Sequence, residues 1–81
     1  MWQGERKSRF IVTRDGVEVS GYFSWGYRGQ GCLNLATEIV GAVLAHAYCE
    51  EVIQHLPQWR GWTITQAEVD EWKTKKQPVA K

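Results

Sequence analysis

One apolar stretch dominates the chain and limits the folds open to it. Residues 33–56 carry apolar side chains at helical spacing, and the stretch follows three closely spaced glycines and ends before Pro57. A proline disfavours the helical conformation in the residue before it, so the helix ends there. The first half has one apolar stripe, made of Leu33, Ala36, Val40, Val43, Leu44 and Ala47. Because the second half uses another face, we expect a long helix bent near Tyr48–Glu50, two helices meeting there, or a helix covered on both faces.

Two short extended segments precede this helix. The sequences RFIVT and VEVS are rich in β-branched residues, and the turn residues RDG lie between them. This pattern is typical of a β-hairpin from Arg9 to Ser20 with a tight turn. The sequence YFSW, residues 22–25, can add a third extended segment.

The end of the chain carries the clearest local signal. Thr65 and Glu68 have the spacing of a capping box, in which the hydroxyl and the carboxylate each accept a hydrogen bond from a free backbone amide. Ile64 and Val69 have the spacing of the hydrophobic staple that accompanies such a box. These residues predict a short helix over residues 66–74.

The expected fold is of the α+β class. It consists of an N-terminal antiparallel β-hairpin or three-stranded sheet, one long or bent helix packed on it, and a short C-terminal helix. Eighty-one residues suit one small domain. We place this domain at residues 9–74, with a flexible N-terminus at residues 1–8 and a flexible basic tail at residues 75–81.

Charge and hydropathy argue against a strong nucleic-acid binder and against a membrane-spanning protein. The net charge is +1 and the pI is about 7.8, whereas strong nucleic-acid binders usually have a pI above about 9. The sequence has no apolar run of the ~18 residues that a membrane span needs, and its first residues do not form a signal peptide. We therefore expect a cytoplasmic protein.

The two cysteines fit a reducing compartment. Cys32 and Cys49 would lie roughly 25 Å apart on one continuous helix. A disulfide requires Cα atoms within about 7 Å. We therefore expect two buried free thiols.

The glycine-rich sequence FSWGYRGQG leads into the long helix. Its glycines, Gly26, Gly29 and Gly31, match neither the dinucleotide-binding pattern nor the P-loop. A GXXG loop of the nucleic-acid-binding KH type joins two helices, whereas an extended segment precedes this one. A structural turn, a partner-binding loop and an anion site at the helix N-terminus all stay open.

The composition of this loop recurs in the connector QWRGW after Pro57. Both segments contain Trp and Arg, and the loop adds Tyr; these three residue types dominate protein interfaces. The predicted partner-binding residues are Trp25, Tyr27, Arg28, Gln30, Trp59 and Arg60. If the two segments lie side by side, they form one surface. Alternatively, Trp62 and one of Trp25 or Trp59 belong to the core.

No catalytic or metal-binding pattern is complete. His46 and Cys49 lie three residues apart with His55 further on, which is half of a metal site at most. Nothing orients a Cys–His pair for nucleophilic attack. The carboxylates of Glu50, Glu51, Glu68, Asp70 and Glu71 occupy helix positions that face solvent. We therefore predict a non-enzymatic protein without metal or cofactor, since an enzyme of this kind would need a bound metal or cofactor.

The same segments resemble a family of small bacterial and phage proteins described as a domain of unknown function, number 6166. The family has an aromatic residue before Trp-Gly-Tyr, a glycine turn, a helix rich in alanine and leucine, and a Leu-Pro…Trp connector before a last helix. The first block is matched by Phe23, Trp25, Gly26, Tyr27, Gly29 and Gly31. The second is matched by Leu56, Pro57, Trp62, Ile64, Thr65, Glu68 and Trp72. Cys32 departs from the family, which commonly has a small residue and a proline there, and the stretch before EVIQHLP is shorter, so the continuity of the long helix stays open.

We expect a small protein-binding module. The resemblance implies a phage or mobile-element setting, where small proteins without catalytic motifs often block host complexes in the host cytosol. An inhibitor of this anti-defence or anti-CRISPR type would act by steric occlusion through residues 25–31 and 59–62. The alternative is a nucleic-acid-binding accessory protein that adds Lys73, Lys75 and Lys76 and loses affinity steeply with salt. Either protein could also form a homodimer through the open edge of the hairpin.

Overall fold

The computed structural model describes residues 1–76, and within them it confirms the α+β class. The elements are β1 (Trp2–Arg6), β2 (Phe10–Arg14), β3 (Val17–Glu18), α1 (Gln30–Val40), α2 (Ala45–Glu51), β4 (Trp62–Ile64) and α3 (Gln66–Lys76). A single 3-10 turn, Ile53–His55, follows α2. The last part of the predicted basic tail, residues 77–81, lies outside the described residues.

The N-terminal segment forms a central strand of the sheet, so the expectation of a flexible N-terminus at residues 1–8 is wrong. The four strands are antiparallel and lie in the order β3-β2-β1-β4. Trp2 is only 2% exposed. A Cβ atom on Gly4 would overlap the ring of Trp62, so the glycine makes room for that ring. Gln, Gly and Glu have weak strand preferences, and neighbouring strands rather than local sequence therefore fix β1.

The predicted hairpin is present as β2 and β3. Asp15 and Gly16 have φ angles of 53° and 85°, as the favoured two-residue hairpin turns require. The pairing continues past β3, because the Val19 amide donates to the carbonyl of Val12 at 2.8 Å. Residues 22–25 form no strand, so the additional strands of the sheet are β1 and β4.

The edges of the sheet are short. β3 has two residues and β4 has three. Each edge therefore offers few backbone groups for pairing with another chain. The homodimer through an edge strand stays a prediction.

The long apolar stretch forms two helices divided at Gly41, which matches the alternative of two helices but not its expected position. The segments on either side of the break are inclined by 114°. Gly41 has a φ of 88°, and its amide donates to the carbonyl of Thr37. Val43, predicted on the buried stripe, is 91% exposed because it lies in the corner between the helices. The break thus precedes the expected site at Tyr48–Glu50.

No single helix within residues 1–76 has the length and hydropathy of a membrane span. The bent pair of helices meets those criteria only when both of its arms are counted together.

The bend also brings the two cysteines together. The Cys32 sulfur lies 3.8 Å from the Cys49 backbone carbonyl oxygen. The expected separation along one continuous helix is therefore wrong. The thiols are nevertheless free and buried, as predicted.

The predicted capping box opens α3. The Thr65 amide donates to the Glu68 carboxylate at 3.0 Å, and the Glu68 amide donates to the Thr65 hydroxyl at 3.2 Å. Ile64 and Val69 are both buried, as the hydrophobic staple requires. The helix continues to Lys76, so the first two residues of the predicted tail are helical. Together with β1, this extends the folded unit beyond the predicted limits of residues 9–74.

Aromatic side chains fill the middle of the core. Trp25 is completely buried, and its ring meets the rings of Phe10 and Trp62 edge to face at centroid distances of 4.7 Å and 5.3 Å. Trp72 packs in the same way on Tyr48 at 4.8 Å, which attaches α3 to α2. The core therefore joins the inner face of the sheet to the helices.

Candidate functional site

The glycine loop and the connector lie side by side. The Gly26 amide donates to the carbonyl of Ile53 at 3.0 Å. Gly26 has a φ of +85°, and a Cβ atom there would lie 2.6 Å from the Cβ and 2.7 Å from the Cα of Gln58. Only glycine satisfies both constraints. Residues 25–31 and 57–60 are thus neighbours, as a shared surface requires.

The other two glycines of the loop differ in their roles. A Cβ atom on Gly31 would overlap the Ser24 hydroxyl, so the first turn of α1 packs directly on that buried serine. Gly29 has an extended φ of 171°, and a Cβ atom there would make an ordinary contact with Tyr27. The glycines at positions 26 and 31 are therefore required by the structure of the turn. The backbone at Gly29 can accept other residues.

Trp25 does not belong to a partner-binding surface. Its exposed fraction is 0%, because Phe10 and Trp62 cover its ring. The sequence prediction for this residue is wrong. Trp25 instead anchors the loop to the core, since it directly precedes Gly26, where the loop meets the connector.

Trp59 lies on the surface and contacts an arginine. The side chain is 68% exposed. The guanidinium carbon of Arg6 lies 5.0 Å from the Trp59 ring centroid and 4.6 Å from the Phe10 ring centroid. Such cation–π contacts contribute about 0.5–1 kcal/mol at exposed sites. Arg6 thus ties the connector to β2.

Tyr27 approaches the same group of side chains from the glycine loop. It is 38% exposed, and its ring centroid lies 6.5 Å from that of Phe10. Phe10 therefore links the loop to the connector through Arg6. We refer to Arg6, Phe10, Tyr27, Trp59 and the adjacent exposed Arg60 as the aromatic–arginine surface.

Arg28 and Gln30 line a separate cavity. This cavity of about 190 Å³ faces α2, where His46 and Glu50 form part of its lining. The Arg28 guanidinium lies 3.9 Å from the Glu50 carboxylate, and both side chains are largely exposed. Such a surface ion pair contributes little to stability. The Gln30 amide nitrogen donates to the Asn34 side-chain oxygen at 3.0 Å. Arg28 and Gln30 thus lie on the side of the glycine loop that faces α2.

Basic residues cluster at this end of the sheet, and acidic residues neutralise several of them. Lys7 pairs with Glu5 at 3.4 Å, and Arg9 pairs with Glu18 at 3.2 Å. Within residues 1–76, neither Arg6 nor Arg60 has a carboxylate within 4.0 Å. The net positive charge of the surface therefore comes from these two arginines.

The Cys32 thiol lies in an environment that disfavours its thiolate form. Burial and the neighbouring Cys49 raise the pKa of the Cys32 thiol above its usual range. A raised pKa reduces the fraction of reactive thiolate at neutral pH. Cys49 is itself buried and accepts a weak hydrogen bond from Gln54 at 3.8 Å. Within residues 1–76, no three His, Cys, Asp or Glu side chains are grouped to hold a metal ion.

The carboxylates considered for acid–base chemistry are exposed. Glu68 serves the capping box, and Asp70 accepts a hydrogen bond from Gln66 at 2.9 Å. The hydrogen bond from Lys76 lowers the pKa of Glu51. These contacts stabilise helix ends and faces.

Arg6 and Phe10 are the members of the surface that sequence reasoning missed. Arg6 lies in the segment expected to be flexible, and Phe10 was expected only as part of the hairpin. The available signal was the period-two spacing of Trp2, Gly4 and Arg6, which places all three on the inner face of β1. A strand ending in arginine beside a connector tryptophan would have indicated the cation–π contact.

Comparison with known proteins places the chain in a family without a described activity. No curated protein matches the sequence, and no solved structure matches the fold. A family model matches residues 3–75, which include strands β2 to β4 and all of β1 and α3 except one end residue of each. The chain therefore belongs to the family of unknown function DUF6166.

Proposed function

We propose that this protein is a non-enzymatic protein-binding module and that the aromatic–arginine surface makes its principal contact. The observation that carries the proposal is the position of Trp59, which is 68% exposed yet lies over the guanidinium of Arg6. Tryptophan, tyrosine and arginine are the most frequent hot-spot residues of protein interfaces. A tryptophan already supported in the free protein loses less conformational entropy when a partner covers it.

The charge distribution favours a protein partner over nucleic acid. The net charge is only +1, and Lys7, Arg9 and Arg28 each lie near a carboxylate. A nucleic-acid surface needs several cations free to replace the counterions of phosphates. Lys73, Lys75 and Lys76 lie in the last turn of α3, where Lys76 pairs with Glu51.

The proposed mechanism is steric occlusion of a host complex. The resemblance to small bacterial and phage proteins motivates a partner in a host defence system, of the anti-defence or anti-CRISPR type. A rigid domain can block such a complex by covering a functional surface, without any catalytic step. A cytosolic bacterial complex is therefore the first partner to seek.

Affinity purification of the tagged protein from a bacterial lysate, followed by mass spectrometry, tests the proposal. We expect a stoichiometric protein partner that survives nuclease treatment and is lost with Trp59→Ala. Val43→Ala is the matched control, because Val43 is also an exposed apolar residue but lies at the corner between the helices. Equal capture by both variants, or a partner lost on nuclease treatment, would overturn the proposal.

Two exposed residues of the glycine loop give a second, graded test. Arg28→Ala and Tyr27→Ala should weaken capture while changing the free energy of unfolding by less than about 1 kcal/mol, since both side chains are exposed. Urea unfolding of the purified variants checks this expectation. A variant that loses both binding and stability would mean that the loop is structural.

A further inference from the structure

A second recess lies beside the aromatic–arginine surface. It has a volume of about 370 Å³ and lies between the β1–β2 turn and residues 21–23. Its lining includes Arg6, Ser8, Arg9, Phe10 and Tyr22. A water molecule occupies about 30 Å³ in the liquid, so the recess can hold an amino-acid side chain together with some water.

The guanidinium of Arg6 has unused hydrogen-bonding capacity at this recess. Its Nη1 donates to the Lys7 carbonyl at 2.5 Å. Its Nε is buried and has no acceptor within residues 1–76. Arginine stays charged at all ordinary pH values, and a buried donor without a partner destabilises the folded protein. The Nε–Nη2 side of the guanidinium is therefore the part that still requires an acceptor.

Two aromatic rings lie close to this guanidinium. Phe10 and Trp59 lie 4.6 Å and 5.0 Å from its central carbon. A planar guanidinium can bind a carboxylate through two parallel hydrogen bonds. Since Nε is shielded from solvent, an incoming carboxylate would first meet Nη2, which has no acceptor within residues 1–76.

The residues that line the recess favour an anionic group attached to an apolar chain. Two arginines and the Ser8 hydroxyl supply donors, and none of the described residues that line the recess is acidic. Arg9 forms an ion pair with Glu18 at 3.2 Å. Of the two arginines, Arg6 is therefore the one whose positive charge has no carboxylate partner in residues 1–76. Tyr22, which is 64% exposed, and Phe10 provide apolar walls for methylene groups.

We infer that the recess at Arg6 is a carboxylate-binding pocket that receives a Glu or Asp side chain of a protein partner. The inference rests on the proposed function and specifies the partner as one with an acidic, partly apolar segment. A carboxylate is favoured over a phosphate because the protein carries a net charge of only +1. Phosphate backbones bind through many unneutralised cations.

NMR of the full-length protein tests the inference directly. The probes are the peptide Ac-Leu-Glu-Glu-Leu-NH2, its amide analogue Ac-Leu-Gln-Gln-Leu-NH2, inorganic phosphate and the oligonucleotide dT8. We expect the acidic peptide to shift the Arg6 Nε–Hε and Trp59 indole signals saturably, with the amide analogue binding at least tenfold more weakly. Equal binding of the two peptides, no binding of either, or stronger binding of phosphate or dT8 would overturn the inference.

Two variants locate the binding. Arg6→Lys keeps the charge but loses the planar donor pair, so the acidic peptide should bind at least tenfold more weakly to a variant that remains folded. Lys73→Gln changes a cation on α3 and should leave binding unchanged. The peptide comparison on the unmodified protein needs no substitution, so it decides the inference even if Arg6→Lys fails to fold.

The lysate experiment separates this inference from the proposed function. A partner lost with Trp59→Ala but fully retained with Arg6→Lys would support the protein-binding surface and refute the carboxylate pocket. A partner retained with both variants would refute the proposed function.

Discussion

Gly26 couples the conformation of the glycine loop to the position of the connector. Its backbone lies in the left-handed region, and Gln58 occupies the space where a side chain would begin. The two constraints are independent, because one concerns the backbone of the residue itself and the other concerns a neighbour. A substitution can therefore separate their contributions.

Gly26→Ala should lower the free energy of unfolding by about 3 kcal/mol. About 1–2 kcal/mol comes from left-handed strain, and overpacking against Gln58 adds about 1–3 kcal/mol. Urea unfolding followed by tryptophan fluorescence measures the change.

Gly16→Ala is the matched control for this prediction. Gly16 has the same φ of +85°, but a Cβ atom added there, in the hairpin turn, would meet no other atom of residues 1–76 within 4 Å. Gly16→Ala should therefore lower the free energy of unfolding only by the backbone strain, about 1–2 kcal/mol. Equal losses for the two variants would show that contact with Gln58 does not require glycine at position 26.

At the scale of elements, the capping box makes α3 predictable from its own sequence. Thr65→Ala should lower the free energy of unfolding by about 1 kcal/mol, because the Glu68 amide loses its acceptor. Chemical denaturation of the purified variant measures the loss.

Thr74→Ala serves as the control for the cap. The Thr74 hydroxyl donates to the Asp70 carbonyl within the same helix at 2.9 Å, but it satisfies no free amide at the helix start. Its removal should change stability by less than about 0.5 kcal/mol. A loss at Thr74 as large as that at Thr65 would contradict the stabilising role of the box.

Elements specified by local chemistry could be predicted, and elements specified by their neighbours could not. The hairpin turn at Asp15–Gly16 and the cap at Thr65 each depend on residues adjacent in sequence. Strand β1 depends instead on Trp62 packing over Gly4. The break at Gly41 could be predicted only in part, because a glycine within an apolar helix can be tolerated or can end the helix.

At the scale of the whole molecule, the candidate surface could be predicted only in part. Composition identified Tyr27, Trp59 and Arg60, which are exposed, but it also selected Trp25, which is buried. Tryptophan suits both a core and an interface, so its type alone does not decide between them. Arg6 joins the surface only because the sheet places β1 between β2 and β4.

We expect Tyr48 to make the stability of the whole fold decrease at alkaline pH. It is 2% exposed and packs on Trp72, and burial raises its pKa from 10.0 to about 12. Nearby Glu68 also raises this pKa. Since the unfolded chain releases the phenol proton first, the contribution of Tyr48 is complete below about pH 10 and is lost as the pH rises to about 12. A shift of this size corresponds to about 3 kcal/mol.

Urea unfolding at intervals from pH 9 to pH 12 checks this prediction. Tyr48→Phe should remove the Tyr48 part of the decline, because phenylalanine keeps the ring but has no proton to release. Tyr22→Phe is the control, since Tyr22 is 64% exposed, and it should retain the decline of the unmodified protein. Other effects of alkaline pH act on all three proteins alike, so the difference between the two variants isolates the buried phenol. An equal decline in Tyr48→Phe and Tyr22→Phe would mean that burial does not raise the pKa of Tyr48 and would contradict the prediction.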